Sequence, residues 1–77
     1  MAKEVTRKQA IKAILVAQKY MNQAPRELTG AAIGSLNHAK IMLEQGSFDF
    51  AKRSAIISLG WTLSEKALVS VMPELSL

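Results

Sequence analysis

His38 is the single imidazole of a 77-residue chain that contains no cysteine. A metal held here would need carboxylates around that imidazole, and Glu44 is the nearest one on a compatible turn. Zinc sites use three or four protein ligands, so no metal and no cofactor is expected. His38 then reads as an ordinary surface histidine. Nucleophilic catalysis needs a nucleophile, a base and a group that orients the base. The serines are scattered, and one histidine on a helix flank does not supply that arrangement. The carboxylates stand singly along the chain, and no glycine-rich loop joins a strand to a helix to cradle phosphate. The sequence predicts a protein that is not an enzyme.

Cations are the next chemistry to weigh. Lys8, Lys12 and Lys19 fall within roughly 40° of one another on a helical wheel, with Lys3 and Arg7 nearby. Such a row could track phosphates or dock on an acidic protein. Base edges are usually read by Arg, Asn or Gln, and single strands by exposed aromatics, which this face does not offer. Lysine stems can instead lie along Ile11 and Leu15 while their heads stay hydrated. The basicity is local. Residues 1–26 carry Lys3, Arg7, Lys8, Lys12, Lys19 and Arg26 against Glu4 alone, whereas residues 27–77 carry four basic and five acidic side chains.

Apolar and small residues mark surfaces rather than reactions. Trp61 is the sole tryptophan, suited either to anchoring an interface or to filling a core. It belongs to a stripe of Phe50, Ile57, Trp61, Leu68 and Val71, with Ser54 and Ser64 in the gaps. A second stripe of Ile56, Leu59, Leu63 and Ala67 lies roughly 100° away around the same axis. Two stripes on one helix imply either two neighbours, or the chain's own bundle on one side and another chain on the other, and a second copy of the chain is the favoured occupant. Gly30 and Gly34 lie one turn apart beside His38 and Ile41, on the side of their helix opposite Leu36. A helix-interior glycine costs about 1 kcal/mol relative to alanine, so the pair asks for a close neighbour or a partner that uses the space.

These residues need three helices to position them. The first is predicted over 6–22, with Thr6 and Gln9 set for a capping box and Ala10, Ile14, Ala17 and Met21 as its apolar centre. Pro25 ends it and opens the second helix, 26–45, whose apolar face is Leu28, Ala32, Leu36, Ala39 and Leu43. Gly46 stops that helix, and Ser47 caps the third, 48–72, with Pro73 closing it and 74–77 as a tail that folds back through Leu75 and Leu77. The tight joint at Gly46 predicts an antiparallel hairpin of the second and third helices. The expected fold is all-α, a three-helix bundle in a single domain, 1–77. A DNA-binding helix-turn-helix fits poorly, because it wants short helices, about three or four turn residues and outward polar side chains. The stretch 39–51 resembles the helix hairpins of tetratricopeptide-like repeats and of several small helical chaperone families: a leucine before an acidic residue, a glycine turn, then aromatics opening the next helix. No repeat at the expected period follows.

A chain this short buries only about 60% of its unfolded surface and has no disulfide to staple it, so self-association is the expected source of added stability. No membrane partner is expected. The uncharged run 54–64 is 11 residues, against about 20 for a span. The start does not read as a secretory signal, since Lys12 and Lys19 bracket the apolar stretch 13–17. The cytoplasm is therefore the expected location. The function expected is a small non-enzymatic interaction module, an adaptor, inhibitor or regulator, including the kind carried by phages and mobile elements, acting as a homodimer. Its partner-binding candidates are Trp61, Ile57, Leu68 and Phe50, the lysines Lys8, Lys12 and Lys19, and the Gly30, Gly34, Ile41 side. The alternative is a nucleic-acid-associated regulator that uses the basic face of the first helix.

Overall fold

In the computed structural model, which describes residues 5–75 apart from the side chains of Leu28 and Glu74, the chain forms four helices and no strand among the described residues. They are α1 (Arg7–Gln23), α2 (Arg26–Glu44), α3 (Phe48–Thr62) and α4 (Glu65–Leu75). Lys3, Glu4 and Leu77, and the side chain of Leu28, all used in the reading above, lie outside the described residues.

Local signals account for most of the ends. At α1 the Thr6 hydroxyl accepts the Gln9 N–H at 3.2 Å, and the Gln9 side chain accepts the Thr6 N–H at 3.0 Å. That is the reciprocal capping box, which satisfies two donors the helix start would leave unpaired. Pro25 is the N-cap of α2 rather than its first residue, because its ψ of 149 is extended. Gly46 takes φ +81 after α2. There the Ser47 N–H reaches the Met42 carbonyl at 2.9 Å and the Gly46 N–H reaches that of Leu43 at 3.1 Å, the paired bonds of a Schellman end. Ser47 occupies the cap position of α3, but its hydroxyl makes no capping bond; its carbonyl accepts the Ala51 N–H instead.

The expected three-helix bundle is corrected here. The span 48–72 is two helices, because Leu63 swings to an extended conformation (φ −116, ψ 148) after α3. The Ser64 hydroxyl then accepts the Ala67 N–H at 3.2 Å, and Glu65 sits in the first turn of α4. A serine cap followed by an acidic residue is a helix start, and it outweighs the continuity of the apolar spacing. Pro73 does not close the helix. It lies inside α4, which runs on to Leu75. Leu75 is 1% exposed, so burial holds the final turn against the core even though Pro73 withholds one N–H.

Helix α3 is the central element, packed most extensively on α2 and next on α1, while α4 rests lightly on α1 and α3. The core joins Ala13, Ile14 and Ala17 of α1 to Leu36 and Ala39 of α2, Ala55 and Leu59 of α3, and Val71 and Leu75 of α4. Among the described residues, seven of the twelve buried apolar ones are alanines. Small side chains let the helix backbones approach closely, yet each removes little apolar area from water, so the core is thin for its length. Two serines complete it. Ser58, fully buried, donates to the Ala32 carbonyl at 2.9 Å, and Ser54, 7% exposed, lies 2.7 Å from His38 Nδ1.

Candidate functional site

The break at Leu63 changes what the two apolar stripes do. The second stripe turns inward: Leu59 is fully buried, and Ile56 and Leu63 pack partly buried against the core. The first stripe divides. Its far members belong to α4, where Val71 is buried and Leu68 packs partly buried on the core. Its near members stay on α3 and face out, with Phe50, Ile57 and Trp61 56%, 55% and 54% exposed. Leu68, expected beside them at an interface, therefore contributes to the chain's own core, because the Leu63 bend rotates α4 relative to α3.

The two serine bonds place that outward stripe. Ser54–His38 and Ser58–Ala32 fix α2 and α3 as an antiparallel pair in a defined register. Phe50, Ile57 and Trp61 fall within about 40° on the α3 wheel, on the solvent side of Ser54. Gly30, Gly34 and Ile41 fall within about 40° on the α2 wheel, on the solvent side of His38. At this register Phe50 lies level with Ile41, Ile57 with Gly34 and Trp61 with Gly30. The face is thus a strip of exposed apolar side chains along α3 beside a bare stretch of α2 backbone. Nothing lies within 4 Å of where a Cβ would stand on Gly30 or Gly34, so the fold itself does not use the space these glycines leave. Ile41, 50% exposed, closes the strip at one end. Arg53 borders it on α3, paired with Asp49 at 3.3 Å and poised over the Phe50 ring at 5.8 Å.

The lysine row occupies a separate surface. Lys8, Ile11, Lys12 and Leu15 line a shallow groove of about 460 Å³ along α1. Lys8 and Lys19 are exposed, Lys12 is half-buried, and Lys19 Nζ lies 5.5 Å from the Tyr20 ring centre. Leu15, along which the lysine stems can lie, is 60% exposed.

His38 is exposed, as expected of a surface histidine, and it also makes one tertiary contact. It is tied to Ser54 at the border of the apolar strip. No spacing rule could reveal this contact, since it joins residues 16 apart on different helices. Val69 (66% exposed) and Ile33 (45%) are exposed apolar residues that the sequence did not single out. Among the described residues no group of three metal-ligating side chains comes together, and no helix is long and apolar enough to cross a membrane.

Compared with known proteins, the chain matches no family model and has no significant match among curated proteins or solved structures.

Proposed function

We propose that this chain is a small non-enzymatic interaction module, an adaptor, inhibitor or regulator of the cytoplasm, that works as a homodimer through the α2/α3 face. The observation that carries the reading is the row Phe50, Ile57 and Trp61, three large apolar side chains each more than half exposed on one side of one helix. Single exposed apolar residues are ordinary, but a contiguous row marks a binding surface. Its neighbours support a second copy as the occupant. The helix backbone is bare at Gly30 and Gly34, with open space where a Cβ would stand, and Trp61 is a bulky exposed side chain on the same face. A face that sets a projecting side chain beside bare backbone can meet a second copy of itself about a two-fold axis. A thin alanine-rich core gives such pairing a thermodynamic role, since association adds to the stability of the folded state.

The test is sedimentation of the wild-type chain across a range of concentrations, beside Trp61→Asp. The wild type is expected to sediment as a dimer and to show a concentration-dependent thermal midpoint. Trp61→Asp is expected to give a folded monomer with unchanged helical circular dichroism. A wild-type chain that stays monomeric at high concentration defeats the dimer.

A second reading, a nucleic-acid-associated regulator, has one observation in its favour: the described cations of α1, Arg7, Lys8, Lys12 and Lys19, share their helix with no carboxylate. Duplex DNA binding that weakens steeply with salt, with a slope reduced by about one on loss of Lys12 or Lys19, would support it.

A further inference from the structure

The groove along α1 combines two features that phosphate binding does not need together. Lys8, Ile11, Lys12 and Leu15 follow one another at the spacing by which one helix presents a stripe to another helix. On the wheel the apolar pair Ile11 and Leu15 forms a ridge, with Lys8, Lys12 and Lys19 on one flank and Arg7 on the other. Leu15 stands 60% exposed at the middle of this helix, among the cations rather than away from them. None of these four cations forms an ion pair among the described residues; the one ion pair found there joins Arg53 and Asp49. Helix α1 has no acidic residue in its first turn and none along Arg7–Gln23.

We infer that this face of α1 docks an acidic amphipathic helix of a partner protein, one with apolar side chains four residues apart and carboxylates flanking them. The partner's apolar pair covers Ile11 and Leu15, and its carboxylates meet Lys8, Lys12 and Lys19 at the rim, where charge sets orientation and selects against basic partners. Double-stranded nucleic acid satisfies the cations but leaves the Ile11 and Leu15 ridge facing a charged backbone, with no gain for its burial. The surface is distinct from the α2/α3 face, so it stands whether or not the chain dimerises.

Fluorescence anisotropy with the full chain tests this. The probes are a labelled helical peptide with leucines four apart flanked by glutamates, the same composition with the leucines dispersed around the helix, a lysine-for-glutamate version of the first, a duplex DNA, and vesicles of anionic phospholipid. The ordered acidic peptide is expected to bind, and the dispersed one at least about tenfold more weakly, a difference of about 1.4 kcal/mol. Lys12→Glu is expected to weaken the acidic peptide by a similar factor, while the lysine version stays the weaker ligand because Arg7, Lys8 and Lys19 remain. Leu15→Ala is expected to weaken the acidic peptide with no loss of thermal midpoint, because the side chain is mostly in solvent. Trp61→Asp is expected to leave peptide binding unchanged, which separates this result from the dimer. Absence of binding, equal binding of the two acidic peptides, or tighter binding of the duplex or the vesicles overturns the inference.

Discussion

His38 Nδ1 lies 2.7 Å from the hydroxyl of Ser54, and this bond joins α2 to α3 along the edge of the exposed Phe50, Ile57 and Trp61 row. Ser54 is nearly buried, so its hydroxyl depends on the imidazole for a partner outside its own helix. A buried hydroxyl stripped of its partner loses the desolvation cost as well as the bond.

The double-mutant cycle of His38→Ala and Ser54→Ala measures that bond. Each single change is expected to destabilise by about 1 kcal/mol, and the coupling is expected at about 0.5–1.5 kcal/mol. Urea denaturation of the four proteins in a monomeric Trp61→Asp background reads it out. Additive effects would show that the pair contributes no net stabilisation.

Gly34→Ala is expected to act with opposite signs on fold and assembly. The new methyl meets nothing within 4 Å in the monomer, and alanine is favoured in a helix by about 1 kcal/mol over glycine. The monomer should therefore gain up to that amount, while the proposed dimer should weaken because the added methyl keeps a partner from the bare backbone. Thermal melts in the Trp61→Asp background check the first effect, and sedimentation of Gly34→Ala alone checks the second.

Ser64→Ala removes the side-chain cap of α4. A loss of about 1 kcal/mol is expected. Because α4 packs lightly, the loss should concentrate in that helix. Hydrogen exchange is expected to accelerate at amides of α4 more than at those of α2 or α1. Uniform acceleration across all four helices would show that α4 unfolds only together with the rest.

Gly46→Ala places a Cβ at φ +81. Open space surrounds the position, so the cost is conformational alone, about 1–2 kcal/mol. A smaller midpoint shift would mean that the α2/α3 turn relaxes into another geometry.

Much of the helical content could be read from the chain because it rests on short-range chemistry. The Thr6–Gln9 box, the break at Pro25 and the stop at Gly46 each act within a few residues and need no tertiary partner. Of the expected apolar centre of α1, Ala10, Ile14 and Ala17 are buried as spacing demands, and Met21 is partly buried against the core. The division of 48–72 was also written locally, in Ser64 and Glu65, but a longer apolar rhythm ran across it and masked it.

What the sequence determined alone is the all-helical character, the hairpin turn and the segregation of cations onto the first helix, since neighbours in the chain set all three. What only the tertiary structure decided is which apolar residues face inward. Val71 and Trp61 share one stripe on paper, but the extended Leu63 carries one into the core and leaves the other in solvent. The direction of a helix after a bend is set by what it packs against, and for α4 that is α1 and α3, far away in the chain. The His38–Ser54 and Ser58–Ala32 bonds belong to the same class, because a single polar pairing between two helices leaves no periodic trace in either one.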